Sequence, residues 1–244
     1  MKLFAFILIF VTATVFISCK KYDSVKDAKC RLTSVIIRNN GFVEDTIRIS
    51  YNEDGKLAKV QSFYGPKTTK LFTYSTHQIT AEERFSNGQP VSKAISTLND
   101  DGKIASIYFT NQTGDTVALD SFFYSSGQLI ASKHMVQYRT KDVHVTYSFL
   151  NGNCIEEDRG YKNFYTHQTR NLVQDADPIR YAQLFQYGAV YLENQNLVKQ
   201  VQDGASLTTA NYTYEFDEHA MVSKANRSSS NGFENEYFYG YECE

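Results

Sequence analysis

Ile49-Ser50-Tyr51-Asn52-Glu53-Asp54-Gly55-Lys56-Leu57 decides the fold. An alternating strand ends on a tyrosine, a polar turn carries Asp-Gly, and a leucine opens the next strand. Asp-Gly supplies the positive φ that a tight hairpin turn needs. The unit recurs at Leu98-Asn99-Asp100-Asp101-Gly102-Lys103-Ile104 and at Phe123-Tyr124-Ser125-Ser126-Gly127-Gln128-Leu129. Weaker copies run from Tyr74 to Ile79, Phe149 to Ile155, Tyr191 to Leu197 and Tyr214 to Val222. The aliphatic anchors Leu57, Ile79, Ile104, Leu129, Ile155, Leu197 and Val222 are separated by 22, 25, 25, 26, 42 and 25 residues. A period near 25 fits one hairpin and its return. Strands between the turns alternate, as in Thr46-Ile47-Arg48-Ile49-Ser50-Tyr51, so one face is buried and the other wetter. The expectation is an all-β fold: an antiparallel meander of repeated hairpins, about fourteen to sixteen strands, curved into a barrel-like sheet.

The interval of 42 interrupts the rhythm. Within it, Asp177-Pro178 predicts a short helix near 177–186, with Asp177 as cap and Pro178 in its first position. Ile179, Ala182 and Leu184 or Phe185 would then face the sheet. The segment is either a plug inside the curved sheet or a surface loop, because long insertions cost little.

The N-terminus reads differently. Lys2 precedes an almost wholly apolar run from Leu3 to Ile17, broken by Thr12 and Thr14, and Ser18-Cys19-Lys20-Lys21 closes it. This pattern is that of a secretory signal peptide, and it is too short for a comfortable membrane span. Residues 1–18 form the expected signal, 19–29 a lipidated polar tether and 30–243 a single β-repeat domain. Removing the signal leaves 226 of 244 residues, with 24 basic and 27 acidic side chains, net −3. That balance argues against nucleic acid as a partner and gives no polybasic signal for anionic lipid.

Three cysteines follow Cys19: Cys30, Cys154 and Cys243. In an oxidising compartment one pair could bridge. Cys30 and Cys243 stand at the two ends of the domain, where termini often approach, and are the favoured pair. Three reduced thiols are the alternative, because spacing does not fix connectivity.

Ser18-Cys19 after an apolar run resembles a bacterial lipobox, and with Lys20-Lys21 it resembles lipoproteins of Bacteroidetes-type bacteria. The Tyr-x-x-x-Gly-Lys-Leu units, the insert around Asp177-Pro178 and Glu193-Asn194-Gln195-Asn196-Leu197-Val198 resemble a lipoprotein domain family of unknown function with a porin-like fold. This resemblance covers residues 30–243. The units are also similar to the tyrosine-aspartate repeats of secreted toxin shells, although Tyr-Asp itself is mostly missing. The resemblance implies a protein held at the outer membrane by acyl chains on Cys19. It supplies no catalytic residue.

The residues point the same way. No two histidines among His77, His134, His144, His167 and His219 have a helical metal-ligand spacing, and His134 and His144 fall on stretches of ladder with no apparent relation. The turns at Gly55 and Gly102 lack the first acid and the closing glutamate of a calcium loop. Neighbours within Glu82-Glu83 and Glu156-Glu157-Asp158 point to opposite faces of a strand, so neither cluster alone forms a catalytic pair. There is no nucleophile elbow and no phosphate loop. No catalytic residue, metal ligand or cofactor is expected. The reading is a non-enzymatic binding or assembly module whose partner is a glycan or an envelope protein. A glycan hydrolase is the alternative. Tyr237, Tyr239 and Tyr241 alternate by two and share one face, which is either the candidate binding face or, as is ordinary for large rings in strands, part of the core.

Lipidation is testable directly. Cys19→Ala should leave the chain uncleaved or release it from the membrane. Mass spectrometry that finds an unmodified mature terminus elsewhere rules the lipobox out.

Overall fold

The computed structural model describes residues 30–137, 142–172 and 174–243. The expected signal, tether and Cys19 lie outside the described residues. Six strands open the chain: β1 (Cys30–Asn39), β2 (Phe42–Tyr51), β3 (Leu57–Ser62), β4 (Thr68–Tyr74), β5 (Gln78–Phe85) and β6 (Pro90–Leu98). Six more follow: β7 (Ile104–Thr110), β8 (Thr116–Ser125), β9 (Gln128–Val136), β10 (Val143–Leu150), β11 (Asn153–Asp158) and β12 (Lys162–Leu172). Helix α1 (Pro178–Tyr187) then precedes β13 (Asn196–Gln202), β14 (Thr209–Phe216), β15 (Val222–Ser229) and β16 (Glu234–Cys243). Each strand pairs antiparallel with its chain neighbours, and β1 pairs with β16 to close a sixteen-strand barrel. In that register Cys30 faces Cys243, and the two sulfurs are bonded across the seam.

The hairpin turns follow from their sequence. Gly55, Gly102 and Gly127 hold φ of 75°, 75° and 76°. The Asn52 side-chain oxygen accepts the Lys56 N–H at 2.8 Å, and Asn99 accepts those of Asp101 and Lys103 at 3.1 and 2.9 Å. These oxygens serve the turn, which accounts for residues that otherwise suggest calcium ligands.

Six of the seven expected anchors are buried: Leu57, Ile79, Ile104, Leu129, Leu197 and Val222. The exception is Ile155. A register shift between Ser148 and Phe149 offsets β11 by one residue, and Cys154, fully buried, takes the inward position. The period therefore stays at 25 from Leu129 to Cys154. Leu32 extends it backwards, 25 residues before Leu57 and 1% exposed.

Tyrosines secure the same rim. The hydroxyls of Tyr51, Tyr124, Tyr214 and Tyr241 donate to the carbonyls of Leu32, Ile104, Val198 and Val222 at 2.9, 3.0, 2.7 and 3.0 Å. Register shifts lie beside Leu32, Tyr51 and Tyr124. A bulge disrupts the ladder, and the phenol supplies a donor where the neighbouring strand cannot.

The insert between β12 and β13 enters the barrel at this rim. Asp177 is fully buried; its carboxylate accepts the N–H groups of Arg180 at 3.2 Å and Val198 at 2.8 Å, so it caps α1 and ties it to β13. Ala176, Phe185, Tyr187 and Leu192 join the core. Ring contacts of Tyr187 with Phe109 (5.9 Å) and Tyr191 with Phe122 (4.5 Å) place the segment inside as a plug. Ala182, expected to face the sheet, is exposed. Its neighbour Gln183 is buried instead, accepting the N–H groups of Tyr191 and Leu192, both at 2.8 Å. The chain after the helix must fold back inside, and a side-chain oxygen there satisfies its backbone.

The outward face is polar. One row crosses β2 to β5 as Arg48, Gln61, Thr69 and Arg84, and the next runs Ser50, Lys59, Leu71, Glu82, Lys93 and Thr110. Charged rows of this kind are costly on a lipid-facing wall.

Gly102 meets no neighbour within 4 Å of an added Cβ, so substitution there tests backbone strain alone. Gly102→Val should cost about 1–2 kcal/mol. A urea midpoint equal to that of the wild type contradicts the positive-φ turn.

Candidate binding lumen

Strand alternation inside a closed barrel sorts side chains between lumen and exterior. Toward the plugged rim the lumen is apolar, lined by Leu32, Ile49, Leu57, Phe72, Ile104 and Phe122. Toward the opposite rim it becomes polar. Lys70, Glu83 and Ser92 face one another across β4, β5 and β6, with Lys70 Nζ 3.9 Å from Glu83 and the Ser92 hydroxyl donating to Glu83 at 3.3 Å. Asp120 and His134 are opposite on β8 and β9 and share a hydrogen bond. Glu157 on β11 accepts from Arg159 Nε at 2.6 Å and from the Tyr165 hydroxyl at 2.6 Å.

These groups point inward, yet the His134 side chain is 39% exposed and that of Glu83 25%. Both lie two residues from the ends of their strands, so water reaches the inner wall at this rim. The barrel is a blind cup, stoppered at one end.

The electrostatics match that partition. Burial holds the Asp120 carboxyl above its ordinary range, although its bond to His134 works in the other direction. Burial lowers the Lys70 ammonium, which Glu83 partly offsets. Tyr191, on the inner end of the plug, is pushed up to about 12 by burial, with the Glu157 and Asp120 charges adding. Cys154, the free cysteine among the described residues, is pushed up to about 12 by burial and then by Glu157, which leaves an inert thiol. His167 is lowered to about 4 by burial, and its Nε2 is buried without a partner.

Tyr237, Tyr239 and Tyr241 do not form an outer surface. They share a face as expected, but it is the inner one. Tyr239 is 9% exposed, Tyr237 and Tyr241 pack against the same core, and the Tyr241 hydroxyl is engaged by Val222. The register sets them against Leu32, Val35 and Ile37, the apolar face of β1, so closure turns them inward. Phe238 and Glu236 take the outside. His134 and His144, which the sequence leaves on separate stretches, lie on paired strands, where His144 faces outward opposite Lys133.

At the plugged rim a cleft of about 880 Å³ lies between the plug and the turns, lined in part by Tyr51, Lys56, Tyr74, Asp175 and Arg180. Its polar groups bond to one another or to the chain: Arg180 to Asp175 at 2.8 Å, the Tyr74 hydroxyl to the Gly188 carbonyl at 3.4 Å, and Lys56 over the Tyr74 ring at 5.3 Å. The mouth is the better candidate site because its wall carries charge and meets water. Among the described residues no group of three His, Cys, Asp or Glu side chains is placed to hold a metal ion.

The architecture is similar to the crystal structure of a porin-like protein from Bacteroides uniformis, with a TM-score of 0.61 at 18% identity over 90% of this chain and 98% of that one. The fold is a porin-like barrel. The chain also aligns over 80% of its length with 15% of the TcdB2-TccC3 chain that lacks its hypervariable C-terminal region, at 10% identity and a TM-score of 0.25, too low to carry an argument. No family model and no curated protein matches the chain.

The porin-like barrel has a titratable core group in His167. Its ordinary value is 6.5, and in the folded chain it is about 4. Between those values the unfolded chain binds more protons, so stability rises with pH across the window and falls on acidification. His167→Gln should flatten that part of the profile in urea denaturation followed from pH 4 to pH 7. Parallel wild-type and variant curves would contradict the assignment.

Proposed function

We propose that this chain is a cell-envelope lipoprotein of the outer membrane whose barrel binds a hydroxyl-rich glycan in its lumen and does not cleave it. The observation that carries the reading is the blind cup: polar, water-reaching side chains at one mouth and a packed plug at the other. A plug with Phe185, Tyr187 and Leu192 in the core fills that end with apolar side chains, which argues against a conduit. Tyrosine faces and paired charges suit sugar rings and their hydroxyls.

Catalysis is the weaker reading. Glu157 has both oxygens engaged, by Arg159 and Tyr165. Asp120 lies three strands away along the wall, about 14 Å of backbone spacing, and is tied to His134.

The anchor sets an orientation. β1 begins at the plugged rim, and ten residues lie between Cys19 and Cys30. A segment of that length reaches at most about 40 Å when fully extended. Lipidation at Cys19 therefore holds the plugged end near the bilayer and leaves the mouth toward the aqueous side. The resemblance to lipoproteins with a porin-like fold supports the same arrangement.

The test is a glycan array probed with the mature protein, read for both retention and product. Retention without cleavage is the expected result. Turnover that Glu157→Gln or Asp120→Asn abolishes would replace binding with hydrolysis, and capture of an envelope protein with no glycan retained would remove the glycan.

A further inference from the structure

Among the described residues, one cation of the polar wall makes no ion pair with a carboxylate. Lys70 has Glu83 and Arg159 has Glu157. Arg227 also faces the lumen, between Tyr212 on β14 and Asn235 on β16. Its guanidinium donates to the Asn235 side-chain oxygen at 3.1 Å. Among the described residues no carboxylate lies within 4 Å of it. Glu234 and Glu236, on either side of Asn235, alternate to the outer face, where Lys224 holds Glu236 at 2.7 Å. The Arg227 charge is felt by the phenols of both Tyr212 and Tyr237, which puts aromatic rings beside it on two strands; Tyr237 also feels, less strongly, the Glu44 carboxylate, which makes no ion pair with Arg227.

A second observation comes from the next strand. Asn39 stands directly opposite Asn235, and its side-chain oxygen is buried without a hydrogen-bond partner. An unmet acceptor beside the neutral group that occupies Arg227 describes an unfinished network.

We propose that Arg227, with Tyr212, Tyr237 and Asn235, forms an acid-recognising subsite of the lumen that takes the carboxylate of a uronic-acid residue in a glycan. The inference rests on the luminal glycan reading and adds the charge of the ligand. A guanidinium fork matches a carboxylate in two parallel bonds. A single guanidinium balances a single negative charge, which favours a uronate over a doubly charged phosphate ester. Flanking tyrosines offer faces for a sugar ring, which a small free acid would leave empty.

Isothermal titration of the mature protein with a trigalacturonate and with the neutral trigalactoside separates the ideas. The wild type should bind the acidic trisaccharide about tenfold more tightly, and the preference should shrink as salt is raised. Arg227→Gln should abolish the preference for the acidic sugar while leaving the urea midpoint unchanged. If that variant does not fold, Arg227→Lys keeps the charge without the fork and should lose most of the preference. Equal affinity of the wild type for both sugars, or an undiminished acidic preference in a folded Arg227 variant, overturns the acid subsite and leaves the glycan reading standing. Binding of neither sugar overturns both.

Discussion

The ladder between β1 and β16 is the interaction on which the other strands depend. A meander of hairpins makes its neighbour contacts locally, but its first and last strands are edges until they meet. Their pairing joins Cys30 to Cys243 across 213 residues of chain, and the disulfide adds a covalent tie at the end of that seam. By chain entropy a loop of this length is worth up to about 5 kcal/mol, provided native geometry accepts the bond. Closure also decides what faces inward. Without it the distinction between Tyr239 and Phe238 has no energetic meaning.

A closed wall of sixteen strands needs a filling, and the plug supplies it from within the chain. The insert brings polar backbone into an apolar interior, and several side chains repair the resulting deficits. Asp177 serves α1 and β13, Gln183 serves the chain after the helix, and Asn194 accepts the Cys154 N–H at 2.8 Å. Asn153 accepts the N–H groups of Gln195 and Asn196 at 3.0 and 2.8 Å. These residues look unremarkable as sequence because each works through a partner between 8 and 43 residues away. The core they complete is consequently split into a dry half around the plug and a wet half at the mouth.

Local signals carried most of the architecture. Asp-Gly turns, strand alternation and an anchor near every 25 residues are properties of neighbouring residues, and they were legible as hairpins curving into a barrel. Asp177-Pro178 likewise announced its helix. Reading stopped where register began. Ile155 was preferred over Cys154 because a bulge in β11 leaves no trace in Asn-Gly-Asn-Cys. Leu32 was missed because no tyrosine turn precedes it. Alternation showed that Tyr237, Tyr239 and Tyr241 share a face, but closure alone says which one. Asp120 with His134 and Lys70 with Glu83 are pairs made by strand alignment, and Arg227 is conspicuous only once Lys70 and Arg159 are seen beside their acids.

Both ends of the folded chain leave from one rim, a few ångströms apart, with Cα atoms of Cys30 and Cys243 separated by 4.0 Å. A ring has no privileged starting point. Joining these ends and reopening the chain at a mouth turn such as Asn87-Gly88 would preserve every strand pairing while moving the terminus to the other rim. Any anchor fused there would hang the cup upside down, mouth to the membrane. The vectorial sense of the molecule thus belongs to where the chain is cut, and the barrel itself is indifferent to it.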